Sequence, residues 1–249
     1  ARDSSRAADT HDRMTPYGKL YLIPSPLGDN DPAEVIPGPT LALLQRIKTY
    51  VVEDARTVRR YLSRAGLKGH IDELKMVELS EHTSEQEVEA MVSLFEGGAS
   101  VGLISEAGLP AVADPGAALV ALCHRRGIEV VPQVGPSSLM MALMGSGLDG
   151  QSFAFRGYLP AKTDARRAAI KDAERLSGQL HQTQIFIETP YRNDSLFADL
   201  LAGLSESTML CLAADITLPT QFIRTLSVGR WKKEHFTIGK RPCVFLILK

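Results

Sequence analysis

Glu106 and Asp114 stand in SEAGLPAVADPG (105–116), directly after VGLI (101–104), an apolar run of the kind buried in a sheet. A plain turn needs about two to six residues. This connection carries two prolines and two glycines beside its acids, and helix-like sequence resumes only at Ala117. Small residues let a bound molecule approach the backbone, and acids favour one that is cationic or rich in hydrogen-bond donors. Two other apolar runs end the same way, in PSPLGDNDP (24–32) and EDARTVRR (53–60). Either ordinary turn chemistry or a ligand accounts for one such loop; three in series at strand ends favour a ligand. No G-x-G-x-x-G and no G-K-[ST] occurs, which argues against a phosphate-led cofactor and for an uncharged or cationic small molecule.

Basic residues form a second pattern. Arg56, Arg60 and Arg64 recur at i, i+4 and i+8 with Arg59 beside them, one face of a helix suited to phosphate contacts or to pairing with acids. Arg166, Arg167, Lys171 and Arg175 alternate with Asp164, Asp172 and Glu174 and read as a solvated helix face. Asp114, preceding Pro115, reads as a helix N-cap.

The elements that position these groups alternate. KLYLIPS, TYVVE, KMVELS, VGLI and IEVVP read as strands, separated by helical patterns over 41–47, 57–65, 84–95 and 117–126. This order predicts a mostly parallel sheet covered on both faces. After PQVGPSS a helix over 137–145 is followed by SFAFRGYLP, a long charged helix from Thr163 to about Gln179, and TQIFIE, MLCLAAD, QFIRTLSV and CVFLIL as further strands. One further helix, 194–204, falls among these strands, so a mixed sheet is expected. The fold class is therefore α/β with two α/β domains, 15–134 and 135–249, and ligands at the carboxyl ends of strands. Residues 1–14, polar and aperiodic, are expected to be a tag remnant or a disordered arm ahead of Met14.

The 249 residues carry a net charge of −1, 44% hydrophobic and 23% charged residues, a composition that supports a sizeable core and argues against an indiscriminate nucleic-acid binder. Cys123, Cys211 and Cys243 are far apart among apolar neighbours and read as buried thiols, neither a disulfide framework nor a metal site. No run approaches a membrane span and no secretory signal is seen, so a cytoplasmic location is expected.

The succession YLIPSPLGD, VVEDARTVRRYL, LSEH, GLISEAGLPAVADPG, VVPQVGPSSLMMAL, FRGYLPAK and FIETPYR, in order over 17–204, resembles the tetrapyrrole-methylase superfamily. Within it the chain is most similar to the branch that methylates a cytidine 2′-hydroxyl in small-subunit rRNA. The resemblance implies two α/β domains, S-adenosylmethionine in the cleft between them, and a homodimer. It implies Pro26, Ser105, Glu106, Leu109, Ala111, Ser137 and Ile187 at the cofactor. The chain departs from the family pattern at Asp29 (usually Asn), at Glu106 (usually Asp), and at Thr57 and Tyr191, where histidines are usual.

Methyl transfer to a ribose hydroxyl is an in-line displacement that draws on alignment and a proton acceptor. Glu188, at the end of TQIFIE, is the first candidate base, with an ion pair to Arg192 as its alternative role; Glu81, His82 and Asp54 follow. Arg56, Arg59, Arg60 and Arg64 are the expected RNA contacts. The expected activity is thus 2′-O-methylation of small-subunit rRNA by an S-adenosylmethionine-dependent enzyme. The alternatives are a tetrapyrrole-type small-molecule methylase and a non-catalytic RNA-binding paralogue.

Overall fold

The structure, a computed structural model, describes residues 16–249; the expectation for residues 1–14 lies outside the described residues. The chain runs β1 (Leu20–Leu22), α1 (Pro32–Val35), α2 (Gly38–Leu44), β2 (Thr49–Val52), α3 (Ala55–Leu62), β3 (Lys75–Glu78), α4 (Glu85–Ala90), β4 (Val101–Ile104), α5 (Ala117–Arg126) and β5 (Val130–Pro132). It continues with α6 (Ser138–Ser146), β6 (Phe153–Tyr158), α7 (Thr163–Leu180), β7 (Thr183–Ile187), α8 (Asn193–Gly203), β8 (Met209–Ala214), β9 (Phe222–Ser227), α9 (Val228–Glu234) and β10 (Cys243–Leu248).

Five strands form each of two sheets. The first has the order β3-β2-β4-β1-β5, with every pairing parallel. Successive side chains of a strand point to opposite faces, and the two faces carry separate cores. Val51, Val101 and Leu103 face Val88, Met91, Leu119 and Leu122 of the α4–α5 side. Tyr50, Val52 and Ile104 face Leu43, Leu44, Val58 and Leu62 of α2 and α3. The second sheet has the order β6-β7-β10-β8-β9; β6 and β7 are parallel and the remaining pairs antiparallel. Its cores also lie on opposite faces. Phe186, Leu212 and Phe245 pack with α7, α8 and α9, whereas Ile185, Cys211 and Leu246 pack with Leu139, Ala142 and Leu143 of α6.

Local chemistry moves several boundaries. α3 begins at Ala55 because the Asp54 carboxylate accepts from the amides of Arg56 and Thr57. The helix expected over 84–95 is α only to Ala90 and continues as a 3₁₀ turn over Met91–Phe95. The α9 helix, absent from the sequence reading, places Trp231 in the core with its indole N–H donating to the Leu210 carbonyl at 2.8 Å. Cys123, Cys211 and Cys243 are buried free thiols. Among the described residues, no helix is long and apolar enough to cross a membrane.

Gly102 marks the tightest point of the first sheet. A Cβ there would lie 2.7 Å from the ring of Tyr50, which is fully buried, and 2.9 Å from Ile23. Overpacking a closed core costs about 1–3 kcal/mol. Gly102→Ala is therefore expected to lower the free energy of unfolding by about that amount, read as a lower urea midpoint at unchanged slope.

Candidate functional site

The first sheet changes direction at β1: from there the chain moves out to β2 and β3, returns to β4, and crosses to β5. In open α/β sheets a crevice opens at such a reversal, outside the carboxyl ends of the strands. The loops leaving β1 and β4 meet there. Ser25 and Gly108 exchange backbone hydrogen bonds at 3.0 and 3.1 Å, and the Ser25 hydroxyl donates to the Ser105 carbonyl at 3.3 Å. The 133–137 connector closes on the same point, since a Cβ on Gly135 would fall 2.1 Å from Pro24. Only a glycine permits that approach.

A cleft of about 460 Å³ opens between this wall and the second sheet. Ser105, Glu106, Leu109 and Asp114 line it from the β4 loop, and Ser137 at the head of α6. Ile187, Ile216 and Val244 line it from the second sheet. Backbone strain gathers around it. Of the non-glycine residues with positive φ, Ala111 (66°) and Ala113 (54°) belong to the β4 loop, and Asp215 (50°) and Thr217 (76°) to the loop after β8. Such conformations persist only where surrounding contacts enforce them. Here Asp114 Oδ1 accepts from the amides of Ala111 and Gly116. The Thr217 carbonyl accepts from the buried Asn30 side chain at 3.1 Å, tying the β1 loop to the second domain. Asp114 thus folds the loop and does not cap α5, whose N-cap is Gly116.

The cleft is acidic on its first-domain side. Glu53, at the end of β2, lines it with Glu106 and Asp114. Burial and the negative charges of Asp114 and Glu106 push the Glu53 carboxyl up to about 7. Cys243 also lines the cleft, but burial holds its thiol at about 12, a neutral group and no nucleophile. Among the described residues, no group of three His, Cys, Asp or Glu side chains could hold a metal ion.

Of the residues expected at a cofactor, Ser105, Glu106, Leu109, Ser137 and Ile187 come together on this cleft. Pro26 instead lines a second cavity of about 450 Å³ that adjoins the cleft at Leu27, Ser105, Glu106 and Ala107. Ala111 lines neither cavity; its strained backbone serves the loop turn.

The candidate bases separate more sharply. Glu188 faces the cleft, yet both of its oxygens are engaged: Oε2 pairs with Arg166 at 2.7 Å, and Oε1 accepts from the Thr189 amide and hydroxyl. Its partner is Arg166 and not Arg192, and Arg166 lies in no solvated face, since its side chain is 3% exposed. The same guanidinium donates to the Pro160 carbonyl and to Asp199, joining α7, β7 and α8. With both oxygens engaged, Glu188 ties the end of β7 to α7. Glu81 and His82 pair with each other at 3.4 Å and are more than four-fifths exposed. They follow β3, the edge strand, and line neither cavity. Asp54 is the α3 cap.

Arg56, Arg59 and Arg60 of α3 and Arg64 of the π-helical turn Ser63–Leu67 after it are exposed, and Arg60 and Arg64 share Asp29 Oδ1 at 3.1 and 2.7 Å. Both line the second cavity; Arg56 and Arg59 do not. Glu53, Asp114, Asp215 and Ile216 were missed as lining residues. Each ends or follows an apolar strand, the one signal that could have pointed to them.

Breaking a buried ion pair on one side costs about 3–5 kcal/mol because the other charge stays buried. Arg166→Met is expected to lose that much stability, and Arg166→Met with Glu188→Gln to recover part of it, in a urea double-mutant cycle. For Glu53, the raised carboxyl pKa means that its stabilising contribution is complete below the ordinary value of 4.5 and is lost as pH rises through about 7. Glu53→Gln should therefore melt higher than the wild type at pH 8, with the gap closing by pH 5 in thermal denaturation.

Known proteins share both the sequence and the architecture. No family model matches the chain. It is 32% identical over 233 residues to ribosomal RNA small subunit methyltransferase I of Escherichia coli O157:H7, covering 92% of this chain and 77% of that protein. The same-named protein of Vibrio cholerae is 30% identical over 243 residues, covering 96% and 80%. Among solved structures, uroporphyrin-III C-methyl transferase from Thermus thermophilus, complexed with S-adenyl homocysteine, superimposes with a TM-score of 0.56 at 16% identity, covering 93% of this chain and 98% of that one. A conserved hypothetical protein of Aeropyrum pernix K1 gives 0.61 at 18% identity, covering 93% and 84%. With the fold shared and the sequence matched over nearly the whole chain, the protein belongs to the ribosomal RNA small subunit methyltransferase I family.

Proposed function

We propose that this protein transfers a methyl group from S-adenosylmethionine to a ribose 2′-hydroxyl of small-subunit ribosomal RNA. The observation that carries this reading is the acidic, strained cleft at the β1–β4 reversal, in a chain whose relatives are named for small-subunit rRNA methylation. The residues present fit the cofactor. Ala107 and Gly108 allow close approach, Leu109, Ile187 and Val244 give an apolar wall, and Glu53, Glu106 and Asp114 set negative charge opposite a sulfonium. When bound, S-adenosylmethionine supplies a methyl whose sulfur–carbon bond breaks with its electron pair onto sulfur as the ribose oxygen forms the new carbon–oxygen bond.

The chain's own groups supply alignment and a place for the hydroxyl proton. Ser105 and Ser137 line the cleft from the β4 loop and the head of α6, and the Asn30–Thr217 hydrogen bond joins the β1 loop to the loop after β8, so alignment rests on several joined loops. The proton passes to the Glu53–Glu106 carboxylates. With its carboxyl raised to about 7, Glu53 is matched to neutral-pH base chemistry. The reading includes action in the cytoplasm and a homodimer. Exposed Met140 and Met144 on α6, with Phe153, Phe155 and Tyr158 on the edge strand β6, support a protein partner on that side.

Calorimetric titration with S-adenosylmethionine is expected to give one site per chain, and labelled methyl to transfer onto unmodified small ribosomal subunits. Glu106→Ala should weaken cofactor binding about tenfold or more, the loss typical of a hydrogen bond to a charged group. Binding without transfer to subunits would move the substrate to a tetrapyrrole-type small molecule. No binding at all would refute the proposed activity.

A further inference from the structure

We infer that the second cavity, between the β1 loop and α3, is the acceptor subsite: it takes one nucleotide of a single-stranded RNA, its phosphate on Arg60 and Arg64 and its ribose against Leu27 and Ser105–Ala107. The inference rests on the RNA-methylating reading above and goes beyond it by giving the acceptor a place.

Direct transfer needs donor and acceptor atoms within about 3–3.5 Å and in line, so the acceptor must occupy space continuous with the cofactor cleft. Leu27, Ser105, Glu106 and Ala107 line both cavities. A third depression, around Lys171, Glu174 and Arg175 on α7, shares no lining residue with the cleft. The second cavity, at about 450 Å³, falls within the range of small-molecule sites, and a lone phosphate would fill only a small part of it.

Its charge is suited to the ligand. Arg60 and Arg64 both bind the same oxygen of Asp29, so two guanidiniums meet one carboxylate and a net positive charge remains. Each uses one N–H on that oxygen and keeps further donors for a phosphate, which a planar guanidinium can bind in a bidentate way. Asp29 in turn is carried by the loop that β1 sends to the wall, so the phosphate site and the shared wall belong to one rigid piece. Glu106, lining both cavities, is the carboxylate that both donor and acceptor would reach.

The test compares wild type with Arg60→Gln/Arg64→Gln, and with Arg230→Gln on α9 as a control for losing an arginine elsewhere. Two readouts are used: fluorescence anisotropy with a labelled single-stranded RNA at several salt concentrations, and methylation kinetics on unmodified small subunits. Each lost phosphate contact should lower the slope of log affinity against log salt by about 1. Because both arginines hold the same phosphate, the double variant is expected to lose about 1 in slope, to bind RNA at least tenfold more weakly, and to raise KM for subunits with the dissociation constant for S-adenosylmethionine unchanged. An unchanged salt slope and KM, or an effect matched by Arg230→Gln, would overturn the inference. Should the double variant fail to fold, Asp29→Asn decides. Freeing both guanidiniums should tighten RNA binding, and weaker binding would overturn the subsite. If the wild type binds RNA through both arginines yet transfers no methyl, the subsite stands and the activity reading falls.

Discussion

The pairing of Ser25 with Gly108 is the constraint on which the rest of the site depends. Parallel strands β1 and β4 leave the sheet side by side, and their exit loops would diverge if nothing joined them. The reciprocal backbone bonds hold them as one wall, and the Ser25 hydroxyl adds a third link to Ser105. Both cavities are lined beside that joint by Leu27, Ser105, Glu106 and Ala107, so it fixes where the two adjoin.

The second domain holds its half of the cleft by a different means. Arg166 and Glu188 are both buried at the end of β7, and with Pro160 and Asp199 they tie two helices to a strand end. Such pairs contribute little net stability, yet removing one partner leaves a buried charge. This arrangement fixes where Ile187 and the following loop stand. The two halves meet through Asn30 and Thr217 and through Leu27, which packs into the α6 core. The strained backbone at Asp215 and Thr217 lies at this junction.

Charge divides the site by function. Acids converge where a sulfonium would lie, and their mutual repulsion with burial raises Glu53 toward neutrality. Arginines converge on the adjoining cavity, held by Asp29, where a phosphate would lie. The near-neutral net charge of the chain conceals this separation, because opposite charges sit on neighbouring loops.

Element types, the parallel first sheet and mixed second sheet, and the crowded loops at strand ends were legible in the sequence, whereas the order of strands in each sheet was not. Alternating apolar runs, glycine and proline at strand exits and a helical arginine stripe follow from local periodicity and composition. The β4 loop, with Ser105, Glu106 and Leu109, was readable because no turn needs so many small and acidic residues. What the tertiary structure decided was pairing across distance. Glu188 was expected to take a proton, but its Oε2 is held by Arg166, twenty-two positions away on a helix whose spacing gave no sign of burial. Arg60 and Arg64 gained Asp29, and Glu53 gained Asp114, from segments far apart in the chain. Periodicity reports which face of an element is apolar; which charge meets which depends on how separate elements pack, and that is settled only when the chain closes on itself.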